Sequence, residues 1–288
     1  MTTLAVMGTG RMGTAFAKRL ITVGQPVTVW NRTAAHATAA IEAGATLAND
    51  IPAAATADII LISLTNADAV GRVADGLIDA GITGKLVIDL STLLPAETTE
   101  IGARITAAGA DFIDCPVGGT VGPALKGALL GMAGGTEAAF ARAKPILEHL
   151  CKRVELLGPV GSGAHMKLAV NLPLALYWQT LAEALAMLDG SGISMEIAIS
   201  MISDSSAGPT VLKNRAQVVI DTMNGTDQPG TFDISGLAKD LKLALTQAER
   251  TGHRMPLSQD AMKSYENALS AGLGGFDGAS LTRLIRKI

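Results

Sequence analysis

The sequence predicts an α/β protein in two parts: an N-terminal doubly wound sheet and a C-terminal all-helical domain, joined by one long helix. Three observations carry this. Short apolar runs alternate with helical segments over the first half. A glycine-rich turn follows the first run. Beyond the Gly/Pro-rich stretch at residues 159–163 only long helical patterns remain. Strands alternating with helices imply parallel pairing with crossover helices on both faces.

Taken in order, Leu4–Met7 reads as a strand and residues 12–23 as a helix. Val27–Trp30 is a second strand, residues 33–43 are helical, and Ile59–Ile62 and residues 86–88 are further buried strands. Residues 112–113 and 129–133 follow as later ones. Each run is too short for an independent helix and is bounded by Gly, Asp or Pro. Residues 164–188 read as the long helix, with a kink expected at Pro173, which lacks a backbone donor. Residues 195–203, 211–222, 235–251 and 257–271 complete the helical part. The boundary falls near residue 161, giving domains 1–161 and 162–288.

Composition narrows the class. With 48% hydrophobic and 17% charged residues, the 288-residue chain is compact rather than disordered. Aromatics are only 3%, so the core is mostly aliphatic and stacking platforms for single-stranded nucleic acid are few. Net charge is -3 and the basic residues are scattered, which argues against nucleic-acid partners. Lys152 and Arg153, and Arg283, Arg286 and Lys287, read as solvated surface. Cys115 and Cys151 build no disulfide framework, and the four histidines show no metal-ligand spacing, so no metal is expected. The sequence shows no secretory signal and no apolar stretch of membrane-spanning length, so a cytoplasmic protein without membrane partners is expected.

Gly8-Thr9-Gly10-Arg11-Met12-Gly13 fits G-x-G-x-x-G between a strand and a helix, the context a Rossmann-type dinucleotide site requires. Gly8 allows the tight turn, Gly10 close approach of a pyrophosphate, and Gly13 close packing of helix on strand. The helix N-terminus offers free N–H groups to the anion. An acidic residue at the end of the second strand would hold ribose hydroxyls and repel a 2′-phosphate. Here Trp30 is followed by Asn31, Arg32 and Thr33, which can bind a phosphate instead, so the expected cofactor is NADP(H). Leu64 and Thr65, after the strand at Ile59–Ile62, join the candidate cofactor contacts, as does Thr92.

Three further segments look chemical. Asp89 to Pro95 follows a strand, where loops of an α/β sheet bind ligands, and Ser91 and Thr92 can donate to an anion or hold a nicotinamide amide. Their other reading is as capping residues of a helix starting near Pro95. In Asp114-Cys115-Pro116-Val117-Gly118-Gly119-Thr120, adjacent glycines expose N–H groups that can cup an anion, with Thr120 adding a hydroxyl; the other reading is an ordinary Gly-rich turn. Gly161-x-Gly163-x-x-x-Lys167-x-x-x-Asn171 puts Lys167 and Asn171 on one face of an otherwise apolar helix. Polar groups there need partners if buried. A lysine, with an ordinary pKa near ~10.4, can protonate the alkoxide formed when hydride reaches a carbonyl carbon.

Together these segments resemble the β-hydroxyacid dehydrogenase family, which includes 3-hydroxyisobutyrate dehydrogenases and glyoxylate/succinic semialdehyde reductases. The glycine turn is similar to the family's G-x-G-x-M-G, and Asp89 to Pro95 to its D-x-S-T-x-x-P. Gly161 to Asn171 is similar to its G-x-G-x-x-x-K-x-x-x-N, and Phe232 with Lys239-Asp240-Leu241 to its F…K-D-L. The resemblance implies reduction of a small aldehyde or keto acid to the hydroxy acid. Lys167 would be general acid and base, and Asn171 would hold the substrate. Ser91 and Thr92 would border nicotinamide and substrate, Lys239 would reach the cleft and Phe232 would pack beside it. It also implies a homodimer or homotetramer. One departure stands out. The family commonly has P-V-S-G-G where this chain has Pro116-Val117-Gly118-Gly119-Thr120, and sulfonate-aldehyde reductases of the family show a related P-V-G-x-T. Imine reductases share the architecture but typically lack the lysine, and 6-phosphogluconate dehydrogenases have a much longer helical domain. A non-catalytic dinucleotide sensor is disfavoured by Lys167 and Asn171. His165, Tyr177 and Trp178 receive no role, and Cys115 reads as a small buried hydrophobe.

Overall fold

The computed structural model describes residues 2–287; the side chains of Arg286 and Lys287 lie outside the described residues. The chain divides into two compact units, Met1–Lys167 and Leu168–Ile288.

The first unit is built on a parallel sheet. Strands β1 (Leu4–Met7), β2 (Val27–Trp30), β3 (Thr46–Leu47), β4 (Ile59–Ile62), β5 (Leu86–Asp89) and β6 (Asp111–Asp114) pair in the order β3-β2-β1-β4-β5-β6. The order runs outward from β1 in both directions. Such a reversal opens a crevice at the carboxyl ends of β1 and β4. Strands β1, β4 and β5 are buried at every position because both faces are covered, which is why they read as continuous apolar runs. On one face Leu4, Val6, Leu61 and Ile88 pack with Phe16 and Leu20 of α1 (Arg11–Thr22). Beyond α1, the first face also carries α2 (Thr38–Ile41), and α3 (Ile51–Ala55) covers the other. On that other face Met7, Ile60, Ile62 and Val87 pack with Val73 and Leu77 of α4 (Ala67–Ala80) and Ile105 of α5 (Pro95–Ala107).

Two departures from the sequence expectation have local causes. Residues 33–43 do not form one helix: a 3-10 turn, Ala34–Ala37, precedes the single turn of α2. The Thr38 hydroxyl donates to the Ala35 carbonyl at 2.8 Å, a local bond that competes with a regular helical ladder. Past β6 the sheet also gains two strands that the sequence reading did not name, flanking the one it expected at residues 129–133. Strand β7 (Val117–Gly118) is followed by α6 (Val121–Leu125), β8 (Leu129–Gly135), α7 (Glu137–Leu150) and β9 (Cys151–Leu156). Strand β8 runs antiparallel to β6 and β7 and parallel to β9. Lys152 and Arg153 lie on β9 and are exposed.

Helix α8 (Ser162–Ala186) runs as one element through Pro173, and its residues up to Lys167 belong to the first unit. In the second unit its later turns pack with α9 (Met195–Asp204), α10 (Thr210–Met223), α11 (Ile234–Arg250) and α12 (Pro256–Ser270). Their core holds Trp178, Leu185, Ile199, Leu212, Leu237 and Tyr265. The Tyr265 hydroxyl donates to the Ala175 carbonyl at 2.9 Å, which satisfies its one buried polar group. Arg283, expected at the solvated surface, instead forms an ion pair with the buried Asp227 carboxylate. The pairing explains the correction: a buried carboxylate needs a charged donor.

Candidate active site

The glycine turn follows from steric demand. Gly8 has φ +99°, and a methyl there would overlap the Ser63 carbonyl and come 2.7 Å from Leu64 Cδ2. A methyl on Gly13 would overlap the Gly8 carbonyl oxygen, so helix and strand meet at backbone distance. Gly10 differs: it is exposed and nothing lies within 4 Å of where its side chain would be. It occupies the N-cap of α1 without a side chain to bond the helix's first N–H groups, and the first turn carries no acidic residue. The positive end of the helix dipole therefore favours an anion at this turn. Thr9 is buried and its hydroxyl has no partner among the described residues. These features fit a dinucleotide pyrophosphate. Arg11 is exposed beside the turn, with Met12 half-buried.

Asn31 joins this turn to the end of β2. Its Oδ1 accepts from Thr9 N at 3.1 Å and its Nδ2 donates to the Thr33 carbonyl at 2.9 Å. Arg32 and Thr33 are exposed next to it. The loops after β4 and β5 are joined likewise. Leu64 N donates to Ser91 Oγ at 3.0 Å, and Ser91 N donates to Asp89 Oδ1 at 2.9 Å. Ser91 is buried, Leu64 and Thr92 half-buried, and Thr65 exposed. Helix α5 starts after these residues, at Pro95, and Leu94 N is bonded by Glu97 Oε2 at 3.0 Å. Ser91 and Thr92 are thus not the capping residues.

Asp89 and Asp114 end neighbouring parallel strands and stand directly opposite each other. Both are buried, and loss of solvation pushes each carboxyl up to about 6 despite the hydrogen bonds each accepts. Asp114 accepts from Gly161 N at 2.8 Å and Ala164 N at 2.9 Å, at the start of α8. One turn further along, Lys167 is 7% exposed and its Nζ donates to the Val117 carbonyl at 2.8 Å. Gly118 and Gly119 follow Val117. Thr120 stands at the N-cap of α6 with its side chain making no capping bond. Gly119 has φ +124° and no room for a side chain, whereas a methyl on Gly118 would make ordinary contacts, 3.6 Å from Leu130 Cβ and 3.8 Å from Met132 Cε.

The second unit gathers its own polar group. Asn171 is buried and its Nδ2 donates to Asp240 Oδ2 at 2.6 Å. Lys239 Nζ lies 2.9 Å from Asp240 Oδ1. Phe232 packs against Gly236, where a methyl would come 3.0 Å from its ring. Asp233 Oδ1 accepts from Gly236 N and so caps α11, the helix that carries Lys239.

Sequence reasoning did not single out Thr9, Asp114 or Asp240 as site residues. A carboxylate at the end of a buried strand, and one beside Lys239 on an amphipathic helix, were the available signals. His165 is exposed. Tyr177 packs edge-on against Trp178 with ring centroids 5.8 Å apart, and Trp178 belongs to the core. Burial drives the Cys115 thiol well above its ordinary pKa, as for an inert hydrophobe. Among the described residues no group of His, Cys, Asp and Glu could hold a metal ion, and no helix is long and apolar enough to cross a membrane.

Residues 3–158 match the model of the family described as the NAD binding domain of 6-phosphogluconate dehydrogenase. Residues 161–285 match that of the NAD-binding region of NADP-dependent 3-hydroxyisobutyrate dehydrogenase. The chain belongs to the β-hydroxyacid dehydrogenase family. As a β-hydroxyacid dehydrogenase it is an oxidoreductase that uses a nicotinamide dinucleotide and a small-molecule substrate. Glyoxylate/succinic semialdehyde reductase 1 of Arabidopsis thaliana is 30% identical, with 97% of each chain aligned. The 3-sulfolactaldehyde reductase of Escherichia coli K12 is 31% identical, with 99% of this chain and 96% of the relative aligned. A structure of Mycobacterium tuberculosis 3-hydroxyisobutyrate dehydrogenase with L-serine superposes with a TM-score of 0.89 at 27% identity, covering 99% of each chain.

Proposed function

We propose that this β-hydroxyacid dehydrogenase is an NADPH-dependent reductase of a small aldehyde or keto acid, with Lys167 as general acid. The observation that supports this most is a buried lysine ammonium bonded to the Val117 carbonyl, one residue before the Gly118–Gly119 turn. Bound NADPH supplies the hydride to the carbonyl carbon. Lys167 gives a proton to the carbonyl oxygen as negative charge develops there, and takes it from the hydroxyl in the reverse direction. Backbone N–H groups at Gly118 and Gly119 and the Thr120 hydroxyl bind the substrate's acid group. Ser91, whose side chain is held by Leu64 N and the Asp89 carboxyl, borders the nicotinamide and substrate, with Thr92 beside it. Asn171 holds the substrate hydroxyl, with Asp240 orienting its amide, and Phe232 supplies apolar packing.

For the dinucleotide, Gly8, Gly10, Arg11, Met12 and Gly13 form the pyrophosphate turn, with Leu64, Thr65, Thr92 and Lys239 as further contacts. Arg32 and Thr33 bind the 2′-phosphate. One amide N–H of Asn31 is used on the Thr33 carbonyl, which orders this loop, and the second is left to add a hydrogen bond to the phosphate.

The chain's glycine at 118 favours a second substrate class, aldehydes bearing a sulfonate. The test is NADPH consumption with glyoxylate, succinic semialdehyde, tartronate semialdehyde, a sulfonated aldehyde and a cyclic imine, for the wild type and Lys167→Ala. Turnover of an acid-bearing aldehyde that disappears in the variant is expected. Activity on the imine alone, or activity indifferent to Lys167, overturns the reading. The protein is further read as a cytoplasmic homodimer or homotetramer. The exposed apolar side chains Met187, Ile197 and Met201 support association, which light scattering on the purified protein checks.

A further inference from the structure

Helix α8 begins under unusual constraint. The Asp114 side chain is 1% exposed, and its two oxygens bond the N–H groups of Gly161 and Ala164 at 2.8 and 2.9 Å. A methyl on Gly163 would overlap the Met132 carbonyl and come 2.8 Å from Asp114 Oδ2. A methyl on Gly134 would come 2.8 Å from the Pro159 carbonyl. The first turn is therefore bonded to a carboxylate and packed at backbone distance on β8. Lys167 lies three residues beyond Ala164, less than one helical turn and about 4.5 Å along the axis. Over that distance a helix is stiff, so the position of the first turn sets where the lysine side chain leaves the backbone. A serine or asparagine would cap a helix at lower cost than a buried charge. The ion also attracts the helix's positive end, holding the turn more firmly than a neutral cap does.

We infer that Asp114 is a positioning residue for proton transfer: its carboxylate anchors the start of α8 and thereby holds Lys167 Nζ at the Val117 carbonyl. This rests on the reading of Lys167 as the proton donor.

Asp114→Asn, Lys167→Ala and the double variant test it, each measured for kcat, KM and dinucleotide affinity by fluorescence titration. In Asp114→Asn, kcat falls at least about tenfold, while KM and dinucleotide affinity stay within about threefold, the split expected when a transition-state contact is lost. In the Lys167→Ala background the same change alters the residual rate by less than about twofold, because the group it acts through is gone. Full kcat in Asp114→Asn, or an equal fall in both backgrounds, overturns the assignment. Loss of the folded state or of dinucleotide binding in both Asp114→Asn and Asp114→Ser makes Asp114 a structural strut and also overturns it. Full activity in Lys167→Ala alone removes the underlying reading, a result separable from failure of the positioning role.

Discussion

Lys167 Nζ donates to the Val117 carbonyl oxygen at 2.8 Å, with the lysine buried. The proposed proton transfer uses that ammonium in reduction and the neutral amine in oxidation. Reduction is therefore expected to be fastest near or below neutral pH, and oxidation at alkaline pH. Two kcat/KM profiles with one shared optimum would contradict a single group serving as acid and base.

Arg32 is exposed at the end of β2, beside an Asn31 whose side chain is already engaged. Arg32→Asp is expected to raise the KM for NADPH about 10- to 100-fold, the worth of a charge-assisted contact, with a much smaller effect on NADH. Equal changes for both cofactors would remove the 2′-phosphate assignment.

Gly118 has an ordinary backbone conformation, and its nearest neighbour would be 3.6 Å from an added carbon. Gly118→Ser should therefore fold with stability within about 1 kcal/mol of wild type. The added hydroxyl is expected to raise kcat/KM for carboxylate-bearing aldehydes relative to sulfonated ones. An unchanged ratio would mean that the acid group binds elsewhere.

The glycines of the first turn separate structure from binding. Gly13→Ala drives a methyl into the Gly8 carbonyl, and a loss of about 2 kcal/mol or more in unfolding free energy is expected. Gly10→Ala meets open space, so its stability is expected to be near that of wild type while dinucleotide affinity falls. Denaturant unfolding and fluorescence titration on both variants read the two effects apart.

Asp89 has its carboxyl raised by burial from 3.8 to about 6. Between those values the folded chain holds a proton that the unfolded chain has released. Stability linked to this group is therefore present at low pH and lost as pH rises through about 6, by roughly 3 kcal/mol for two units. Asn can keep the bond from Ser91 N, so Asp89→Asn should flatten the decline in unfolding free energy between about pH 4 and 6. An unchanged slope would show that this carboxyl is not raised.

What could be read from the sequence follows from what is local. Strands β1, β2 and β4 were legible because covered strands are short apolar runs between turn residues. The later helices were legible as long helical patterns; the caps Ser194 and Asp233, which bond the first turns of α9 and α11, went unread. Strands β3 and β7 have two residues each, too few for any periodicity. Strand β9 intersperses charged residues with apolar ones and resembles surface. At the site, Lys167 and Asn171 stood out as polar residues on an apolar helix. Asp114 and Asp240 did not, because their partners lie 47 and 69 residues away in the chain, beyond any local pattern.

The margins of the sheet bear on how copies of this chain behave when crowded. Strand β3 offers only two residues at one margin. At another, β9 pairs only with β8 and presents Lys152, Arg153 and Glu155 to solvent. A short strand and a charged one are both poor templates for another chain's backbone. The sheet is thereby guarded against fibre-like growth, and any assembly is steered toward side-chain faces. Replacing Lys152 and Arg153 with apolar β-formers would remove that guard without touching the proposed chemistry.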